Sequence, residues 1–174
     1  AGGRFDVLVR ATTAALLTSH GLREDVEVIL HLGGGPGPAR RLRLNGATLR
    51  GLHADERSAA GMLGEALLKP QPPRGQWREV TPGLDESGGA LADTLREWSE
   101  STVFVLDADA PSFEGMLAEQ PDLVEGDLGF VLSDDKPLTD ADLGDHTVDR
   151  CSLGERWLQG HAAVHIVHWL LDRQ

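Results

Sequence analysis

Three short apolar runs in the second half of the chain constrain its fold most. They are Thr102-Val103-Phe104-Val105-Leu106, Gly129-Phe130-Val131-Leu132 and Val148-Asp149-Arg150-Cys151-Ser152-Leu153. Each is short enough for a buried strand, and helical patterns stand between and after them. Strands alternating with helices predict an α/β fold built on a parallel sheet. Each run ends in a polar or glycine turn: Asp107-Ala108-Asp109, Ser133-Asp134-Asp135 and Gly154-Glu155. Open α/β sheets bind ligands beyond the carboxyl ends of their strands. These loops are therefore candidate ligand loops, and they also read as three solvated acidic turns. The segment from Trp157 to Arg173 after the last turn is apolar on one side and predicts a closing helix.

The first half adds further elements. Phe5, Leu8, Thr12, Ala15 and Leu16 repeat at helical spacing, predicting a helix from Arg4 to Ser19 with Gly21 as its stop. Val26 to Leu32 reads as a strand. Arg41–Leu44 and Ala47–Arg50 alternate around Asn45-Gly46, predicting a β-hairpin with a type I′ turn. Asp55 is placed to cap a helix from Glu56 to about Leu68. A short strand is predicted over Gln76–Val80, and helices over Gly89–Ser99 and Phe113–Glu119.

Composition excludes several function classes. The 174 residues fit one domain, 1–174. No apolar run is long enough to span a membrane, and no signal peptide is visible. A single cysteine, Cys151, excludes an intrachain disulfide and a cysteine-cluster zinc site, and points to a cytoplasmic protein. The loop Gly33 to Pro38 lacks the lysine and hydroxyl of a phosphate-binding loop. No Gly-x-Ser-x-Gly elbow supports acyl transfer, and no Gly-x-Gly-x-x-Gly follows a strand. His161, His165 and His168 share the last helix, but no glutamate stands between the first two as a zinc protease would require. The expectation is no metal, with one histidine packed inward and the others facing solvent or a subunit interface.

Charge is the unusual feature. Against 28 Asp and Glu stand 16 Lys and Arg, giving a net charge of -12. Such acidity suits a high-salt cytoplasm and argues against non-specific nucleic-acid binding, but leaves room for a local basic face. Arg10, Arg23, Arg50 and Arg57 are candidates for that face, because arginine recognises phosphate and carboxylate bidentately. Internal ion pairs, such as Arg57 with Asp55 or Glu24, are the alternative.

Several blocks together resemble one family. Phe5-Asp6-Val7-Leu8-Val9-Arg10 with Ser19-His20-Gly21-Leu22-Arg23-Glu24-Asp25-Val26 is similar to the start of the archaeal tRNA pseudouridine N1-methyltransferases, which act on pseudouridine 54 of the T loop. Leu49-Arg50-Gly51-Leu52-His53-Ala54-Asp55-Glu56-Arg57-Ser58 resembles their next block. Phe130-Val131-Leu132-Ser133-Asp134 and Ser152-Leu153-Gly154, with His168 and Leu171-Asp172-Arg173, resemble the last two.

The resemblance implies a SPOUT-type sheet flanked by helices, with a C-terminal deep trefoil knot and a homodimer across it. It implies S-adenosyl-L-methionine as cofactor and the tRNA T-arm as partner. Leu132, Ser133, Ser152, Leu153, Gly154, Leu158 and Ala163 would hold the cofactor. Asp55, Glu56 and Arg10 would act at the target base, and Arg10, His20, Arg23, Arg50 and Arg57 would hold the RNA. Ala163 stands where many members carry cysteine, so no cysteine acts there. The chain departs from the family in three places. It begins almost at the first helix, ahead of which the family usually has a strand, its middle loop is Leu132-Ser133-Asp134-Asp135-Lys136-Pro137-Leu138 in place of Leu-Gly-Asp-His, and Trp169-Leu170 replaces Asn-Glu. Alternatives from the same reading are a methyltransferase for another RNA pseudouridine, such as one in ribosomal RNA, and a non-catalytic RNA- or cofactor-binding homologue.

Overall fold

A computed structural model describes residues 4–133 and 136–174. The chain forms two sheets of opposite type. The first half carries α1 (Phe5–Leu16), β1 (Glu27–Leu32), β2 (Arg40–Asn45), α2 (Glu56–Leu67), β3 (Arg78–Thr81) and β4 (Leu84–Gly88). The second half carries α3 (Leu91–Glu97), β5 (Thr102–Leu106), α4 (Phe113–Glu119), a 3-10 turn (Pro121–Glu125), β6 (Leu128–Val131), α5 (Asp140–Leu143), β7 (Asp149–Cys151) and α6 (Gly160–Leu171). The order β6-β5-β7 is parallel throughout, as the apolar runs predict. The order β1-β2-β4-β3 is antiparallel throughout, so the expectation of a parallel sheet applies only to the second half.

The predicted hairpin around Asn45-Gly46 does not form. β2 pairs instead with β1, Leu42 opposite Leu30 and Leu44 opposite Val28, and on its other edge with β4. Asn45 ends the strand in a tight turn: its Oδ1 accepts from the Ala47 amide at 2.9 Å, and its carbonyl accepts from Thr48 and Leu49 at 3.2 and 2.8 Å. Glycine stands at 46 for close approach, not for a left-handed backbone. A Cβ there would lie 1.9 Å from the Arg23 carbonyl oxygen. The true hairpin is β3–β4, turned by Pro82-Gly83 with Gly83 at φ +81°.

β4 was absent from the sequence reading because its residues, Leu-Asp-Glu-Ser-Gly, are mostly polar. It holds a central position because those polar groups are paired. Glu86, fully buried, meets Arg78 and, at 3.6 Å, Arg40, while Asp85 accepts from Arg43 at 2.8 Å. On the same sheet Arg41 has no exposed surface. Its guanidinium donates to the Thr94 hydroxyl at 3.0 Å and to Glu97 at 2.9 Å and lies over the Trp77 ring at 4.7 Å.

α1 is shorter than predicted. Leu17 is already extended and bridges Leu22, so the chain reverses through Thr18–Gly21 without a left-handed glycine cap. Val9 and Leu16 pack with Leu63 of α2 over Leu30, Leu42, Leu44 and Leu84 of the first sheet. Around the parallel sheet, Phe104, Phe113 and Phe130 form an aromatic cluster with centroids 5.1 to 5.9 Å apart. Cys151 lies in the same core, and burial pushes its thiol up to about 12, as suits an inert packing residue. α6 lies along α1, where His168 donates from Nε2 to the Ala15 carbonyl at 2.9 Å. His168 is thus the inward histidine, and His165 is exposed.

His31 gives the fold an acid sensitivity. Its Nε2 lies 2.9 Å from the Thr94 hydroxyl, which also accepts from Arg41 and so has its own proton free for the imidazole. Burial first, then the Arg41 charge, pulls the His31 pKa down to about 4. The unfolded histidine titrates near 6.5. Protonation therefore favours the unfolded chain, and stability present above about pH 6.5 is lost as pH falls towards 4. We expect the melting temperature to fall between pH 7 and 5, and the fall to be clearly shallower in His31→Gln. An equal slope in both proteins would refute the assignment.

Candidate functional site

Because β5, β6 and β7 are parallel, their carboxyl ends lie together, and the three loops predicted as ligand loops converge there. They form one shallow cleft, open to solvent. Leu106, Asp107 and Ala108 follow β5, Leu132 and Ser133 follow β6, and Leu153 and Gly154 follow β7. Arg156, Trp157 and Leu158 form its lip, and Gly160 and Ala163 of α6 its remaining wall. Asp134 and Asp135 of the middle loop lie outside the described residues.

Of the seven residues expected to hold the cofactor, six line this cleft: Leu132, Ser133, Leu153, Gly154, Leu158 and Ala163. Ser152 stands apart. Its amide donates to Pro111 at 2.8 Å and its carbonyl accepts from Phe113 at 2.9 Å, so its backbone anchors the start of α4 and does not face the cleft. Gly154, at φ +130°, has nothing within 4 Å of a hypothetical Cβ, so bare backbone fronts open space. Asp107 is spent on the loop itself: one carboxylate oxygen accepts from the Asp109 amide, and the other from Arg150, both at 3.0 Å. Arg156, Trp157 and Gly160 were not anticipated. The only sequence signal for Trp157 was a large aromatic in the loop after a glycine turn.

The residues expected to act on RNA occupy a second zone beside the cleft. A Cβ on Gly160 would sit 3.9 Å from Val7 Cγ1, so the first turn of α1 touches the cleft wall. Arg10, three residues on, lies on the same side of α1. Its guanidinium bonds the Asp6 carboxylate and lies 3.8 Å from Glu56 at the start of α2. Asp55 caps α2 as predicted, accepting from the Ser58 amide at 2.8 Å, so one of its oxygens is already used. Arg23 makes a fork-to-fork pair with Asp172 at 2.8 and 2.7 Å. That bond to Arg23 holds the Asp172 carboxyl below its usual range. Arg23 therefore ties the loop before β1 to the end of α6, and its charge is already paired. His20 is exposed at the tip of that loop. Arg50 and Arg57 are exposed, and neither forms an ion pair among the described residues, so the alternative pairing of Arg57 with Asp55 or Glu24 is not made. The motif blocks thus meet in space: Arg10 joins the first to the second, and Arg23 the first to the last.

A family model described as "Putative SAM-dependent RNA methyltransferase" matches residues 1–174. The chain is 34% identical to the tRNA (pseudouridine(54)-N(1))-methyltransferase of Methanospirillum hungatei over 99% of its length and 84% of the relative's. It is also 34% identical to the enzyme of that name from Halobacterium salinarum, over 99% of the chain and 84% of the relative. Among solved structures it resembles Nep1 of Archaeoglobus fulgidus bound to S-adenosylhomocysteine, with a TM-score of 0.65, 19% identity, 98% of this chain covered and 71% of that one. The chain belongs to this RNA methyltransferase family. The Nep1 likeness bears on fold alone, and agrees with the mixed α/β architecture.

The family's methyl donor fits the cleft by its chemistry. Leu106, Leu132, Leu153 and Leu158 supply apolar wall for a purine ring, and the open backbone at Gly154 supplies polar groups at its edge. α6 begins at the cleft without a side-chain cap, leaving first-turn amides without helical acceptors and its positive dipole end exposed there.

Proposed function

We propose that the chain methylates N1 of pseudouridine 54 in the T loop of tRNA, using S-adenosyl-L-methionine. The observation carrying this reading is that one cleft gathers Leu132, Ser133, Leu153, Gly154, Leu158 and Ala163, in a chain matched along nearly its whole length by relatives named for that reaction. Bound in the cleft, the sulfonium supplies an electrophilic methyl group. The protein's part is placement: the cleft walls fix the donor, and α1 and α2 present the nucleotide beside it. Arg10, held by Asp6 and Glu56, is oriented to hold the flipped base or its phosphate. Glu56, 3.8 Å from the Arg10 guanidinium, is suited to accept the N1 proton, with Asp55 beside it already engaged as a cap. Exposed His20, Arg50 and Arg57, with Arg23 anchoring their surroundings, supply a local cationic surface on an acidic body.

Three finer features belong to the same reading. The parallel order β6-β5-β7, followed in the chain by α6, is compatible with the deep knot of the SPOUT enzymes. Trp169, 57% exposed on α6 near exposed His165, suits a face covered by a second copy. The net charge of -12 suits a cytoplasm of high salt, where screening removes self-repulsion.

The deciding experiment supplies labelled S-adenosyl-L-methionine and a T-loop hairpin carrying either uridine or pseudouridine at the target position. It is run in molar salt, with mass spectrometry of the product nucleoside. Label only in the pseudouridine hairpin, as N1-methylpseudouridine, is expected. Label in neither form would reject the proposed substrate, and label on uridine would reject the reaction.

A further inference from the structure

The chain has four tryptophans. Trp77 lies beneath Arg41 and Arg43, Trp98 packs against Gly129 and Val103, and Trp169 lies under Arg173. Trp157 differs: it lines the cleft and is 60% exposed. The other apolar lining is aliphatic, so Trp157 is the one aromatic surface the cleft offers among the described residues.

Its loop is lightly tethered. Residues 153 to 156 are bends, and 157 to 159 run on without regular structure to α6. Among the described residues no backbone hydrogen bond outside helices and strands ties them down. Gly154 opens the loop in the left-handed region with free space around it. A segment held by few backbone bonds opens and closes at low free-energy cost. An indole at the end of such a loop, facing an aliphatic slot, is placed to cover a flat ring entering that slot.

We propose that Trp157 is an aromatic clamp that closes over the adenine ring of the bound nucleoside cofactor. This rests on the methyltransferase reading of the cleft and adds to it a residue and a motion. The occupant is a purine because Leu106, Leu132 and Leu153 supply apolar lining and Trp157 an indole in the same cleft, and planar bases stack well on indole. Trp157 acts by positioning: ordering the 153–158 loop on the adenine also fixes Gly160 and Ala163, the wall shared with α1.

The test uses S-adenosylhomocysteine as probe, with tryptophan emission and calorimetry read in parallel in molar salt. Wild type, Trp157→Phe, Trp157→Ala and a Trp169→Phe control are compared, with melting temperatures recorded without ligand. Wild type and Trp169→Phe should show saturable quenching. Trp157→Phe should lose the quench yet keep its calorimetric affinity within about threefold, because phenyl still stacks. Trp157→Ala should bind about tenfold more weakly or worse. Unchanged affinity in Trp157→Ala, or quenching that persists in Trp157→Phe, overturns the clamp while leaving the cofactor site intact. Unchanged cofactor affinity with weakened hairpin RNA binding also overturns it, and assigns the indole to RNA. No calorimetric binding by wild type sinks both the clamp and the reading it rests on. Should Trp157→Ala fail to fold, the quench in Trp157→Phe still decides.

Discussion

Gly46→Ala should sharply lower the melting temperature. The added Cβ would lie 1.9 Å from the Arg23 carbonyl oxygen and 3.0 Å from that of Val26. Both obstacles are backbone, so no side chain can swing aside. Relief requires moving the Asn45–Leu49 turn or the Arg23–Val26 segment, yet each is pinned. The Gly46 amide donates to Val26 at 2.9 Å, and the Arg23 amide to Leu16 at 2.8 Å. A clash of this kind falls among the rare substitutions costing about 4 kcal/mol or more. In a domain of this size that corresponds to a drop of roughly 8–16 °C. A drop under about 3 °C would show that the turn accommodates the methyl and that the close approach is not a constraint. Activity should fall with stability, because the same turn leads directly into Leu49 and Arg50.

Arg10→Ala should abolish methylation while cofactor binding survives. Arg10 lies on the side of α1 that touches the cleft wall, but not among the cleft's lining residues. Its loss leaves Asp6 and Glu56 as neighbouring carboxylates without their shared cation, an electrostatic field hostile to an incoming phosphate. A misplaced nucleotide loses the benefit of proximity, and about a hundredfold or more in rate follows from an ångström of misalignment. The check pairs single-turnover methylation of the pseudouridine hairpin with calorimetry of S-adenosylhomocysteine. Affinity within about threefold of wild type, alongside a rate loss of at least about a hundredfold, is expected. Full activity would remove Arg10 from the proposed site. Loss of cofactor binding would make it a structural support of the cleft.

Elements whose stability is local or strongly apolar were legible in the sequence. α2 with its Asp55 cap, α4 and β5 lie within a residue of their predicted bounds, because a cap or a buried run is written into adjacent positions. β4 was not, because the buried charge of Glu86 is balanced by Arg78 and by Arg40, the latter far away in the chain. Asn45-Gly46 misled because the same dipeptide serves two ends: a left-handed turn, or room for a backbone passing nearby. The cleft was legible through motif resemblance at Leu132, Gly154 and Ala163. Trp157 was not, since nothing local distinguishes a lip residue from any loop aromatic. Arg23 shows the remaining gap. It is expected on the RNA face, and the structure pairs it with Asp172, near the other end of the chain.

The packing of α1 against α6 has a consequence for synthesis on the ribosome. Both sheets lie between these helices in the chain, so α1 emerges before them and meets α6 only after them. Until α6 arrives, the strip of α1 around Ala15 has no cover from His168, and Arg23 has no Asp172 to hold its loop. The nascent first half therefore carries an unfinished seam through most of translation, an interval in which sticking to other chains competes with folding. The acidic surface, with its like-charge repulsion between nascent copies, protects the chain during that wait.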